Sequence, residues 1–226
     1  MLCQCEFCDL KTLFYSSIKH EELDHYCSSR REISLKAGEF LIKQGEPIKD
    51  FIYLKEGLVK LFRKSSQNQI QIISFGKPYD FVSLLSVFSD DKYNYSVSAL
   101  TDSVACMFNL TEIKSLIQTN GAFALHLIQT QNRSSDRIII NTLDLLQKRL
   151  YGRVATVILY FSDEIYKTDE FEIPISRKEM AQFIGMSIEN VIRAISEFRK
   201  DKIIQVYGKN ISILDKQRLI NFSEHS

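Results

Sequence analysis

Two sets of residues in this 226-residue chain have the types and spacing for chemistry. The first lies at the start, in MLCQCEFCDLK, where Cys5 and Cys8 stand at a two-residue spacer, the distance at which two thiolates can grip one metal centre. The other reading of these thiols is that they are unpaired, in a frayed terminus. The second set is Glu189, Asn190, Arg193 and Ser196. These polar residues share one face of a helical pattern whose opposite side, Val191, Ile195 and Phe198, recurs at three- and four-residue spacing and is therefore buried. Such a face binds rather than reacts. No phosphate-binding glycine loop or nucleophile elbow appears, and His20, His25, His126 and His225 are scattered. An enzyme is not expected.

The elements that position the second set are legible in the stretch Ile175–Ile204, ISRKEMAQFIGMSIENVIRAISEFRKDKII. Ser176 stands three residues before Glu179, a capping box in which the serine oxygen satisfies a helix-start amide while the carboxylate reaches back. Met180, Ala181, Phe183 and Ile184 form the apolar face of that first helix. Gly185 tolerates the left-handed backbone that ends it, and Ser187 can cap the next. A helix, a tight turn and a second helix with polar residues near its start is the arrangement that sets a recognition helix in the DNA major groove. Ile204–Val206 and Ile211–Leu214 bracket Tyr207-Gly208-Lys209-Asn210, a hairpin that makes the unit a winged helix. The formal charge of +1 excludes a basic wrapper of nucleic acid. Between Ile175 and Asn210, seven Lys or Arg face four Asp or Glu, a local footprint of +3.

Upstream, Asn120 to Leu150 reads as one long helix. Leu125, Ile128, Asn132, Ser135, Ile139, Thr142, Leu146 and Leu150 follow the alternating three-four step of a coiled-coil seam. That seam predicts a homodimer, the alternative being a core helix packed on its own roll. Polar residues in mid-seam fix register and leave the pairing switchable. Val154–Phe161 continues as a helix and Ser162–Glu172 as a loop. Earlier still, Arg31 to Asn109 alternates in short runs punctuated by Gly38, Gly45, Gly57 and Gly76, which predicts a double-sheet roll whose interior is a ligand pocket or is filled by side chains. A short helix is expected at Ile18–Tyr26.

The fold class expected is α+β, in four parts: residues 1–30 with the cysteines, a β-roll sensor over 31–119, a dimerisation helix over 120–150, and a winged helix-turn-helix over 151–226. With 45% apolar residues the chain can bury two cores. No run of about 18 apolar residues and no leader pattern is present, so a soluble, unexported protein without a membrane partner is expected. Five cysteines, an odd number, argue against a secreted disulfide frame and for the reducing cytoplasm.

This order of parts resembles the Crp/Fnr family of bacterial transcription regulators. The resemblance rests on Gly38 to Gly45 and Gly57 in the roll, on the long helix, and above all on Ser176-Arg177-Lys178-Glu179 followed by Ser187-Ile188-Glu189-Asn190-Val191-Ile192-Arg193. It implies a homodimer on a palindromic double-stranded DNA site, regulated by an effector or redox signal at the roll, with RNA polymerase as a further partner. The family's recognition helix carries a Glu and an Arg four residues apart, as Glu189 and Arg193 are. On one face, the carboxylate can accept from a cytosine amine and the guanidinium can donate to guanine O6 and N7. Arg177, Ser187 and Asn190 would by resemblance touch phosphates or base edges. Ile188 departs from members that carry an Arg there, and offers apolar contact such as to a thymine methyl.

Members that bind cyclic nucleotides present a Gly-Glu pair and an Arg within the roll. The corresponding segment reads Asp80-Phe81-Val82-Ser83-Leu84-Leu85, and no Arg lies between Arg63 and Arg133, so cyclic AMP binding is not expected. The oxygen-sensing branch holds an iron-sulfur cluster on N-terminal cysteines plus one in the roll. Cys5 and Cys8 match its CxxC and Cys106 its roll cysteine, whereas the remaining ligand position falls on Phe14; Cys3 or Cys27 would have to substitute. Buried Cys106 reads otherwise as a small hydrophobe. Two alternatives follow: a redox sensor using those thiols, and a roll-type binding module with no DNA target.

Overall fold

The computed structural model describes residues 30–225; Cys3, Cys5, Cys8, Phe14, Cys27 and the helix expected at Ile18–Tyr26 lie outside the described residues. Strands β1 (Arg31–Leu35), β2 (Phe40–Ile42), β3 (Asp50–Glu56), β4 (Val59–Lys64), β5 (Ile70–Gly76), β6 (Ser96–Ala99) and β7 (Ser103–Asn109) form two sheets. Their orders are β1-β7-β3 and β2-β6-β4-β5. Pairing of β7 with both neighbours is antiparallel, with Ala105 opposite Ile33 on one side and Phe108 opposite Phe51 on the other. All four residues of β6 are buried, so this strand is covered on both faces. Gly57 turns β3 into β4 at φ +87°, and a Cβ there would stand 2.6 Å from the Asp102 carbonyl oxygen; a side chain is excluded twice over.

Phe51, Tyr53, Phe81, Leu84, Cys106 and Phe108 fill one end of the roll, with Phe51 and Phe81 ring centres 4.9 Å apart. Leu110, Ile113 and Leu116 of α1 (Leu110–Thr119) and Phe123 and Leu127 of α2 (Gly121–Gln147) complete the same cluster. At about 1.5–3 kcal/mol for each large apolar side chain buried, this cluster is a principal anchor of α1 and of the first turns of α2. Asn109 caps α1 by accepting from the Thr111 amide, ending the strand reading where the sequence pattern placed its last strand residue.

The long helix is shorter than expected. It ends at Gln147, Arg149 is extended (φ −80°, ψ 178°), and Leu150 opens α3 (Leu150–Leu159) rather than closing the seam. The break is stabilised by Arg153, whose guanidinium donates to the carbonyls of Lys148 at 2.8 Å, Leu146 at 3.3 Å and Ile184 at 2.8 Å, satisfying oxygens that a helix end leaves orphaned. The loop expected from Ser162 is also corrected. The chain continues as a π-helical segment, Tyr160–Tyr166, stopped by Lys167 in the left-handed region at φ +56°, and then pairs as β8 (Glu170–Glu172).

Beyond it come α4 (Arg177–Ile184), α5 (Ile188–Lys200), β9 (Ile204–Tyr207), β10 (Asn210–Ile213) and α6 (Lys216–His225). The wing is a three-stranded sheet, β8-β10-β9, one strand more than the hairpin read from sequence. Phe198 of α5 meets Phe222 of α6 at 5.2 Å and Tyr151 of α3 at 6.0 Å. Lys216 fastens the start of α6 to Asp163 and Asp169, each at 2.6 Å. The chain forms two compact units that divide between Arg137 and Ile138, inside α2, with Ser65–Ile73 counted with the second. No helix among the described residues is long and apolar enough to cross a membrane.

Candidate nucleic-acid interface

Local chemistry builds the two-helix unit as its sequence predicts. Ser176 accepts from the Glu179 amide at 3.2 Å while Glu179 accepts from the Ser176 amide at 2.8 Å, so both halves of the capping box are present. Gly185 ends α4 at φ +66°, and Ser187 caps α5 by accepting from the Asn190 amide at 3.3 Å. Val191, Ala194, Ile195 and Phe198 are buried, which fixes the rotation of α5 about its axis.

That rotation leaves Glu189, Arg193 and Ser196 exposed, with Ile188 and Ile192 also at the surface. Asn190 is half-buried beside Met186, and its Oδ1 accepts from Arg193 Nη2 at 3.1 Å. Its own amide and Ser187 stabilise the Glu189 carboxylate and hold its pKa below the ordinary range. Glu189 also occupies the first turn of α5, where the helix dipole favours a negative charge. Glu189 and Arg193 form no ion pair with each other, so the exposed face offers a carboxylate acceptor beside a forked donor. Arg177, the first residue of α4, is half-buried, and desolvation pulls its pKa down.

Along α2, Leu125, Ile128, Asn132, Ile139, Thr142 and Leu146 are exposed in the single chain, with Ile139 at 55% and Leu146 at 63%. Ser135 departs from this row: it is half-buried and accepts from Gln131 Nε2 at 3.2 Å. The seam pattern also missed Ile140 and Leu143, both more than half exposed. The run Ile138-Ile139-Ile140 is the signal that could have found Ile140, since one helix face cannot bury three consecutive residues.

In the roll, Ser83 and Leu84 are buried, Ser83 Oγ accepting from the Ile52 amide at 2.8 Å. Tyr95 donates to the Val82 carbonyl at 2.9 Å. Asp80 accepts from the Lys77 amide at 3.0 Å and lies 3.6 Å from Arg137 of α2. Two polar atoms of α2, His126 Nε2 and Gln131 Oε1, are buried without a hydrogen-bond partner. Cys106 is fully buried, its Sγ 3.9 Å from a Glu32 carboxylate oxygen, and burial pushes its thiol pKa up. No group of three His, Cys, Asp or Glu among the described residues is placed to hold a metal ion.

A sensor-type roll, a long helix with an uncovered apolar row and a capped winged helix-turn-helix define a class: DNA-binding regulators that join an effector-type domain to a reading head. The model of the cyclic nucleotide-binding domain matches residues 32–120, and that of the Crp-like helix-turn-helix domain matches residues 152–222. The transcriptional activator protein Anr of Pseudomonas aeruginosa is 26% identical over 221 residues, covering 95% of this chain and 90% of that protein. The nitrogen fixation regulation protein FixK of Bradyrhizobium diazoefficiens is 22% identical over 220 residues, covering 95% and 92%. Among solved structures, FixK2 from Bradyrhizobium japonicum superposes with a TM-score of 0.77 at 22% identity, over 87% of this chain and 98% of that one. The chain belongs to the Crp/Fnr family, whose members are transcription regulators and not enzymes. A roll-type module without a DNA target is thereby set aside.

Proposed function

We propose that this regulator acts in the cytoplasm as a homodimer that reads a palindromic DNA site. Arg193 and Glu189 discriminate bases in the major groove, Asn190 aims Arg193, and Arg177 and Ser187 set the register on the phosphates. Ile188, 37% exposed, meets a base edge by apolar contact alone. The observation that carries this reading is the pair Glu189 and Arg193, exposed and unpaired with each other on a helix whose rotation is set by four buried residues. Dimerisation through Leu125, Ile128, Asn132, Ile139, Thr142 and Leu146 is supported by their exposure, with Ser135 at the edge of the contact. Two such heads on one two-fold axis read half-sites one helical turn apart. Site selection from random duplexes by the purified protein tests this: a two-fold-symmetric site is expected, and an asymmetric or absent preference refutes it.

The effector acts at the roll, and it is not cyclic AMP. Ser83 and Leu84 are buried and offer a ribose no carboxylate, and no arginine stands in the roll segment where a phosphate would need one. Titration calorimetry with cyclic AMP is expected to show no heat of binding. His126 and Gln131 mark polar atoms that an effector can satisfy, which supports a binding place beside α2. RNA polymerase is the partner through which the bound dimer acts on transcription.

A redox reading rests on Cys5 and Cys8. Their spacing suits a metal centre, with Cys106 as the candidate ligand from the roll. Anaerobic purification followed by an absorption spectrum and iron and sulfide analysis decides it; a colourless, metal-free protein that binds its site removes the cluster.

A further inference from the structure

Leu214 and Tyr207 are 55% and 69% exposed, and both line a groove of about 460 Å³ between the end of α5 and the wing. Ile204 adds a third apolar surface to it. Arg199 and Lys200 of the helix and Lys202 of the connection line the same groove, and all three cations are exposed. No acidic residue lines it. Arg199 and Lys202 form no ion pair among the described residues. The Glu197–Lys200 contact, at 4.0 Å and on side chains 46% and 76% exposed, is too weak and too wet to engage the lysine.

Lys202 stands where the backbone favours another residue. α5 closes with two bonds past its end: the Ile203 amide donates to the Phe198 carbonyl at 2.9 Å, and the Lys202 amide to the Arg199 carbonyl at 3.1 Å. That closure puts Lys202 in the left-handed region at φ +55°, which glycine adopts freely and a residue with a Cβ adopts at a cost. The fold by itself would take glycine at 202, so a lysine held there at the groove points to a use for its charge. Arg199 and Lys200 have an ordinary explanation, since cations in the last turn complement the helix dipole. A dipole gives no reason for an exposed leucine and tyrosine beside them.

We infer that this groove docks an acidic segment of a partner protein, with one apolar side chain seated against Ile204, Tyr207 and Leu214 and flanking carboxylates on Arg199, Lys200 and Lys202. Charge complementarity and the mixed lining together select this occupant. A phosphate chain would use the cations and leave the apolar surface wet, and a wholly apolar partner would cover three cations without pairing them. The groove falls within the ~300–1,000 Å³ of clefts that take small ligands, so it admits a side chain or two and the contact is small and salt-sensitive. Lys200 lies seven residues past Arg193, roughly 10 Å along the helix axis. A partner held there stands beside the base-reading residues and not on them, and its docking does not depend on which bases they read.

A random peptide library displayed on phage and selected on the purified full-length protein tests this. Enriched peptides are expected to set aspartates and glutamates around a leucine, isoleucine or aromatic residue. Measured by fluorescence anisotropy, their affinity should drop as salt is added, and should fall roughly tenfold or more in K202G and in L214S. K202G supplies the residue that the left-handed cap favours, so urea should unfold it no earlier than the wild type. Affinity for duplex DNA should stay within about twofold in both variants, the range of an ordinary surface substitution. Absence of enrichment, enriched peptides without acidic residues, or unchanged peptide affinity in either variant overturns the assignment. A fall in DNA affinity in K202G with peptide binding intact overturns it too, giving the groove to phosphates. So does a K202G protein that loses stability in step with binding, because the lysine would then serve the fold.

Discussion

Arg193 Nη2 donates to Asn190 Oδ1 at 3.1 Å, and Asn190 is itself half-buried against Met186 in the turn between α4 and α5. A long, flexible side chain on an exposed face is thereby tied to a residue the turn holds in place. The bond limits the rotamers that Arg193 samples before it meets a base, and so reduces the ordering cost of binding. It also makes the two positions separable by experiment.

Arg193→Ala is expected to abolish discrimination at one base pair, a loss of roughly 1–3 kcal/mol. Asn190→Ala should cost less, up to about 1 kcal/mol, the net worth of a neutral hydrogen bond. Competition binding against a panel of single-base variants of the site measures both. Equal losses in the two variants would show that Asn190 contacts the DNA itself.

Ile139→Asp places a charge in an apolar row that is exposed in the single chain, so the variant should fold and fail to pair. Sedimentation equilibrium is expected to report monomers at concentrations where the wild type is dimeric, with far-ultraviolet circular dichroism unchanged. Affinity for a palindromic duplex should fall far more than affinity for an isolated half-site. A dimer that survives Ile139→Asp would move the interface off this face.

Ser176→Ala removes the acceptor for the Glu179 amide and breaks the capping box. Urea denaturation should show a loss of about 0.5–2 kcal/mol with an unchanged slope. Because α4 supports the turn that holds Met186 and Asn190, DNA affinity should fall alongside stability.

Lys216 and Asp169 couple the start of α6 to the chain before β8. Bonds to Asp163 and Asp169 raise the Lys216 pKa, and bonds from Lys216 and Ser162 lower that of Asp169. The Asp169 contribution is present above the ordinary carboxylate pKa of about 3.9 and is lost as pH falls through the lower folded value. The Lys216 contribution is full below 10.5 and is lost as pH rises through its raised folded value. Both side chains are more than a third exposed, so the effect is small, below about 1 kcal/mol. Lys216→Met should lower the melting temperature slightly near neutral pH, and the difference from wild type should vanish in strong acid.

Helix starts, turns and the reading face were legible in the residues because their causes are local. The Ser176–Glu179 box and the Ser187 cap depend on residues three apart, and Gly185 answers a single backbone angle. The buried stripe of Val191, Ile195 and Phe198 follows from helical periodicity alone, so the exposure of Glu189 and Arg193 was legible too. Other features were settled by residues far apart in sequence. Arg153 ends α2 early by collecting carbonyls as distant as Ile184, and β8 becomes the third strand of the wing because β10 supplies its hydrogen bonds. The full burial of Cys106 and its place 3.9 Å from a Glu32 carboxylate oxygen likewise come from residues distant in sequence. The groove lined by Arg199, Lys200, Lys202 and Tyr207 exists only where the end of α5 and β9 come together. Periodicity and capping thus determine which face each helix shows, while long-range contacts decide where helices stop, what a buried side chain faces, and which exposed charges act as one surface.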